Sequence, residues 1–240
     1  VGELSGYPEF NVQNFRPSVD SVPYFWVTDS TISTKTFFYK AVYSYTDSPF
    51  TYVDYNNNEY DVVSSLNELD LIGGFARDNF RLGVIVPMYI NATGYRADQL
   101  TQMITSGDAS DPIVESTGLG DISLDAKYRF RNIPLHGTGL FASVRATLPT
   151  GNSYLPLSAS GTMVDIEIGA DRQVDKVHLA ANIGHRQMGD ADLTSATFGS
   201  SIYGRFGVGY QSDLDSTGVA LEYVTGSVYG ESGTVGQEAV

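Results

Sequence analysis

The acid and base groups with the most suggestive spacing in this chain are Asp165 and Glu167, two carboxylates separated by one residue. Paired carboxylates can act as general acid and general base in hydrolysis. Residues two apart on a β-strand, however, share one face, and both carboxylates belong to a stretch in which charged and apolar residues alternate. They are better interpreted as side chains lining one face of a strand, so we predict no catalytic residue and no enzyme activity.

Few residues are suited to holding a metal ion. The chain has no cysteine, which excludes a thiolate zinc site, and its three histidines are scattered. Asp213 with Asp215, and Asp108 with Asp111, could touch calcium, but acidic residues in solvated turns are common. The sequence contains no G-x-S-x-G elbow, H-E-x-x-H pair or phosphate-binding G-x-x-x-x-G-K-[ST] loop. We predict no metal and no cofactor.

Composition narrows the class of protein. Charged residues make up 18% of the 240 residues, below the roughly 25% usual in soluble domains. The net charge of −14 argues against a nucleic-acid partner, because phosphate binding needs a basic surface. No run of 18 apolar residues occurs, so the sequence predicts no transmembrane helix.

Strict alternation of apolar and polar residues is the strongest pattern. From Asp121 to Arg131 the sequence reads DISLDAKYRFR, with an apolar residue at every second position. Such alternation indicates a strand with one apolar and one polar face. It recurs in Leu140–Leu148, Val164–Asp171, Val177–Arg186, Ile202–Gln211 and Val219–Tyr223 and, less regularly, in Phe37–Tyr45, Glu68–Phe75 and Arg81–Ile90.

These segments predict an all-β fold. Tyr24–Thr28 is a further candidate strand, and Phe10–Phe15 is either another strand or an internal plug segment. We predict an antiparallel transmembrane β-barrel or barrel-like sheet of about 10–12 strands. It forms a single domain over residues 1–240, in which residues 1–20 supply an extra strand or a plug.

The predicted connections alternate between short and long. Short turns at one end and long loops at the other are typical of outer membrane barrels, whose short turns face the periplasm. Strands near ten residues fit a tilted strand that crosses a bilayer, which needs about 9–11. The short turns are Arg77–Asn79, Asn132–Gly137, Gln173–Lys176 and Ser212–Thr217; the long loops are Asp47–Asp61, Asn91–Gly118, Pro149–Gly161 and Met188–Ser200.

If the apolar face meets lipid, the charged face lines a lumen. Basic and acidic residues are equally numerous on the predicted inner face, so ion pairs across the lumen can offset the cost of burying charge. Such pairing would either plug a narrow barrel or create a transverse field in a small aqueous pore, and the sequence leaves both open. The predicted lumen-lining residues are Lys127, Arg129, Arg145, Asp165, Glu167, Arg186, Arg205 and Glu222.

Five runs are distinctive in their order and spacing: GLGDISLDAKYRF (Gly118–Phe130), ATLPTG (Ala146–Gly151), AANIGHR (Ala180–Arg186), FNVQNFRPSVD (Phe10–Asp20) and LEYVTG (Leu221–Gly226). Together they resemble the barrel domain of OmpA-type outer membrane proteins. The resemblance implies a structural or porin-like barrel in the outer membrane of a Gram-negative bacterium, in contact with outer membrane lipid. Fuller members of that family add a peptidoglycan-binding domain. The sequence departs from them at the glycine-rich stretch before Val240, so we do not expect cell-wall tethering.

Two alternatives accompany this interpretation. A soluble β-sandwich that binds carbohydrate or a cell-surface partner would show the same alternation, with its apolar faces packed together. Within the membrane interpretation, an unpaired edge in lipid is costly, so the sheet must close. Three ways of closing it stay open: the protein continues beyond Val240, Phe10–Phe15 and the C-terminal tail supply the missing strands, or neighbouring copies cover the edges. The third would give a homo-oligomer with a composite wall enclosing lipid.

Overall fold

The computed structural model describes residues 16–21, 24–53, 59–95, 114–133, 137–151, 158, 161–188, 191–193, 196–198, 200–211, 218–228 and 237–239. These residues contain thirteen strands. The strands are β1 (Phe37–Val53), β2 (Glu59–Arg77), β3 (Phe80–Gly94), β4 (Val114–Leu119), β5 (Ser123–Arg131), β6 (Gly139–Thr147), β7 (Met163–Val174), β8 (Val177–Gln187), β9 (Ala191–Leu193), β10 (Ala196–Phe198), β11 (Ser201–Gln211), β12 (Gly218–Val228) and β13 (Gln237–Ala239).

Eleven of the strands belong to one antiparallel sheet. Its order is β1-β2-β3-β5-β6-β7-β8-β11-β12-β13, and β4 also pairs with β3. Because β4 and β5 pair with successive parts of β3, they act as one strand interrupted at residues 120–122. β9 and β10 form a separate hairpin. The predicted all-β, barrel-like fold is confirmed.

Two tight turns confirm two of the four predicted short connections, those at Arg77–Asn79 and Gln173–Lys176. Asp78 lies between β2 and β3 with a φ of 54°, and Asp175 lies between β7 and β8 with a φ of 53°. Aspartate tolerates this left-handed conformation better than most residues, which suits it to a two-residue hairpin turn. These turns define the short-turn end of the sheet, and the opposite end carries the longer connections.

Other predicted boundaries need correction. Much of the predicted loop Asp47–Asp61 is strand, because β1 and β2 extend their pairing as far as Val53 and Glu59. The predicted loop Met188–Ser200 contains the β9–β10 hairpin. Ser212–Thr217 and Phe10–Phe15 lie outside the described residues.

The two faces of the sheet have an inverted polarity. One face, which we call the inner face, buries charged side chains: Asp70 is 0% exposed and Lys127 is 1% exposed. The other, the outer face, exposes apolar ones: Leu71 is 43%, Ile168 57% and Leu221 76% exposed. A protein folded for water has the opposite arrangement. The outer face also carries exposed Leu82, Leu124, Val144, Ile166, Ile183, Ile202, Phe206 and Val219.

Residues 16–21 and 24–32, which we call the inner segment, lie against the inner face. This one short segment contacts side chains from the first strand of the eleven-stranded sheet and from the next-to-last: Lys40 of β1 donates a hydrogen bond to the Ser18 carbonyl, and Glu222 of β12 accepts one from the Phe25 amide. Strands spaced about 4.8 Å apart reach a common segment only when the sheet curls around it. The predicted strand at Tyr24–Thr28 is therefore wrong, because these residues lie inside the sheet rather than in it.

Candidate functional site: the charged inner face

At the centre of the inner face Asp125 bridges two arginines. Arg81 Nη1 lies 2.5 Å from Asp125 Oδ1, and Arg145 Nε lies 2.8 Å from Asp125 Oδ2. The sheet positions all three, because β3, β5 and β6 are neighbours and Asp125 pairs directly with Arg145. Each of these side chains is at most 10% exposed. Ion pairs with such geometry offset the desolvation of buried charges.

Lys127 ties the inner segment to this network. Its Nζ donates to Asp20 Oδ1 at 2.6 Å, to the Asp29 carbonyl at 3.0 Å and to the Thr31 carbonyl at 2.6 Å. All three protons of the ammonium group are thereby used. Asp20 also lies 3.4 Å from Arg81 Nε, so the segment and the sheet share one charge network.

A second network lies closer to the long-loop end. Asp165 pairs with Arg16 of the inner segment at 3.2 Å and with Arg186 of β8 at 2.6 Å. Burial, reinforced by neighbouring arginines, lowers the pKa of Arg16 to about 10. Arg205 bridges the Trp26 carbonyl and Glu167, each at 3.1 Å. Arg16 and Arg205 therefore hold the segment at separate points.

Two side chains accept hydrogen bonds from all four backbone amides of residues 25–28. The Glu222 carboxylate accepts hydrogen bonds from three successive amides, those of residues 25, 26 and 27, at 2.8, 2.7 and 2.6 Å. Asn182 accepts from the Thr28 amide at 3.0 Å and donates to the Thr28 carbonyl at 2.8 Å. These side chains replace the partners that a neighbouring strand would supply, so the stretch stays ordered without joining the sheet.

Tyr24 and Asp29 complete the attachment. The Tyr24 hydroxyl donates to the His178 carbonyl at 2.6 Å, and the tyrosine ring stacks on the His178 ring with centroids 5.4 Å apart. Gly207 admits this ring, because a Cβ there would lie 2.6 Å from it. Burial raises the pKa of Asp29, whose Oδ2 accepts a hydrogen bond from the Ser21 hydroxyl at 3.1 Å.

Seven of the eight predicted lumen-lining residues lie on the inner face and contact the inner segment or one another: Lys127, Arg145, Asp165, Glu167, Arg186, Arg205 and Glu222. The eighth, Arg129, lies near the short-turn end, where its guanidinium donates to the Asn79 side chain at 3.0 Å and to the Asp78 carbonyl at 3.2 Å. It is therefore separate from the central networks.

Sequence reasoning missed the partners that the inner segment contributes. Arg16, Asp20 and Asp29 are buried charges in an irregular stretch, where no alternation marks them. A partly open pocket of about 20 Å³ lies beside Arg16, Arg145 and Glu167. That volume holds about one water molecule. Within the described ranges no cluster of His, Cys, Asp and Glu is suited to holding a metal ion.

No protein-family model matches the chain, and no curated protein matches it either. The resemblance to OmpA-type barrels therefore stays a prediction. Across the described part of the chain, no helix is long and apolar enough to cross a membrane.

Proposed function

We propose that this protein is a structural β-barrel of a bacterial outer membrane, with an interior plugged by the inner segment. The observation that carries the proposal is the inverted polarity of the main sheet. Its outer face exposes a continuous series of aliphatic and aromatic side chains, while its inner face buries ion pairs. Lipid hydrocarbon is the environment in which that outer face is stable.

Water would make the same face unfavourable. Soluble monomers rarely expose contiguous apolar patches larger than about 300–600 Å². A β-sandwich would solve the problem by packing a second sheet on the apolar face. The other sheet among the described residues is the short β9–β10 hairpin, with three residues per strand. The apolar outer face thus favours the membrane over the soluble sandwich.

The interior favours a structural role over an open pore. Charged residues of the inner segment and the sheet neutralise one another at distances of 2.6–3.4 Å, as in the pairs of Lys127 and Arg81 with Asp20. The segment's backbone is bonded to Lys127, Arg205 and Glu222, which lie on different strands. A segment held at so many points leaves little room for solute.

Lipid contact can be tested residue by residue, because the chain has no cysteine and a single tryptophan. Leu124→Cys and Ile168→Cys, labelled with a bimane fluorophore and reconstituted into vesicles of brominated phosphatidylcholine, should be strongly quenched. Asp175→Cys in the tight turn is the matched control and should be quenched weakly. Trp26, inside the sheet, should keep its emission. Equal quenching at Leu124, Ile168 and Asp175 would contradict the proposed orientation.

The plug makes a separate prediction for ion flow. Purified protein inserted into planar bilayers should give little or no conductance, because ion pairs and the inner segment fill the interior. Replacing Lys127 and Arg145 by Glu removes contacts that hold the inner segment, so we expect conductance to increase in that variant relative to the unmodified protein. Long-lived open channels in the unmodified protein, with a selectivity that follows those charges, would instead establish a porin-like role.

A further inference from the structure

The basic residues of this acidic chain are unevenly placed. Apart from those on the inner face or the inner segment, every basic residue in the described ranges lies at the short-turn end. These are Lys35, Arg77, Arg129, Arg131, Arg172 and Lys176. The only acidic residues described in the same turns are Asp78 and Asp175, whereas the whole chain carries a net charge of −14.

From this asymmetry we propose that the short-turn end binds the phosphate head groups of anionic phospholipid. The inference rests on the proposed function, since it needs the outer face to lie in a bilayer. The groups proposed to bind phosphate are the three arginines that lie on the outer face: Arg77, Arg131 and Arg172. The other basic residues add to the positive potential around them.

Each of these arginines lies where an apolar column on the outer face ends. Arg77 is the last residue of β2 and follows Phe75 on the same face. Arg172 follows Ile168 and Ala170 on β7. Arg131 is placed on the outer face by a register shift between β5 and β6. It pairs with Leu140, which in turn pairs with Ala170 on the outer face.

The chemistry at this boundary fits a phosphate ester. A guanidinium can donate two parallel hydrogen bonds to phosphate oxygens, and its aliphatic stem can stay in the apolar region. Exposed aromatic rings flank the arginines, with Phe130 62% and Tyr128 48% exposed, as expected at a membrane interface. The Arg77 side chain lies 3.7 Å from Asp78, but both are almost fully exposed, and such pairs are weak.

The long-loop end of the outer face carries acidic rather than basic side chains. Among the described residues, its charged side chains are the exposed carboxylates of Asp47 on β1 and Glu115 on β4. Carboxylates repel phosphate, so the same lipid should be bound at one end of the barrel and not at the other. The two carboxylates also provide a matched set of control positions.

Selective quenching can measure the preference. Phe130→Cys, labelled with bimane, is reconstituted into phosphatidylcholine vesicles that contain either brominated phosphatidylglycerol or brominated phosphatidylcholine as the minor component. We expect phosphatidylglycerol to be favoured about fivefold or more, since one basic residue near an anionic surface contributes about that factor. The triple variant R77Q/R131Q/R172Q should reduce the ratio to near one. The control D47N/E115Q should keep it.

A salt series tests the same inference in the labelled protein with its arginines unchanged. Added salt screens the charges, so it should lower the preference for phosphatidylglycerol over phosphatidylcholine. Equal quenching by the two lipids, or an unchanged ratio in the triple variant, would overturn the inference. If the triple variant does not insert, R172Q alone and the salt series decide the question. Weak quenching of the Leu124→Cys probe in every vesicle would instead signal failure of the proposed membrane location.

Discussion

Replacing Lys127 by methionine is expected to destabilise the folded protein by about 3–5 kcal/mol, the usual cost of removing one partner from a buried ion pair. Its ammonium group donates to Asp20 and to two backbone carbonyls of the inner segment. Methionine fills the same volume but leaves the Asp20 carboxylate with Arg81 alone, at 3.4 Å. Urea titration in detergent micelles, followed by Trp26 emission and by the gel mobility of unheated samples, measures the loss.

Lys35→Met provides the control. Lys35 is exposed at the short-turn end, and surface substitutions of this kind usually change stability by less than about 0.5 kcal/mol. Adding Asp20→Asn to Lys127→Met should recover part of the loss, because the orphaned charge is then removed. A Lys127→Met protein as stable as Lys35→Met would show that the inner segment does not depend on this contact.

Glu222→Ala should release the backbone of residues 25–27 from β12. Hydrogen bonds to a charged group contribute about 1.5–3 kcal/mol each, so the amides of these residues should exchange with deuterium about tenfold to a hundredfold faster. Hydrogen exchange read by mass spectrometry resolves the peptide that contains them. Thr28, bonded to Asn182, should change less.

The matched control is Glu115→Ala, which removes an exposed carboxylate from β4 and should leave exchange at residues 25–27 unchanged. Two results would contradict the role of Glu222. One is unchanged exchange at residues 25–27 in Glu222→Ala. The other is equal acceleration across the whole sheet, which would indicate global rather than local loss of structure.

The strands were predictable because their signal is local. On β5 and β7 the side chains alternate between the two faces, and the sequence shows the same period from Asp121 to Arg131 and from Val164 to Asp171. The charges that line the inner face followed from that period. Short strands without it were missed, such as β4, which carries Gly118, and the three-residue strands β9 and β13.

The path of the inner segment could not be predicted in this way. Tyr24–Thr28 has the composition of a strand, yet most of its backbone hydrogen bonds are with side chains far along the sequence, those of Asn182, Arg205 and Glu222. Partners so distant in sequence produce no alternating pattern of apolar and polar residues in the segment itself. The pairing of Lys127 with Asp20 is equally non-local, since 107 positions separate the two residues.

The inner segment also constrains the order in which the molecule assembles. It precedes every strand that the structure describes, yet its amide at Phe25 bonds to Glu222, 197 positions later. Contacts between residues so far apart in sequence form slowly, because the chain loses conformational entropy before the contact contributes stabilising energy. The segment cannot be locked until β12 has arrived, so its charges must stay hydrated while the wall is built around them. Refolding should therefore include a late step in which β12 and the inner segment come together.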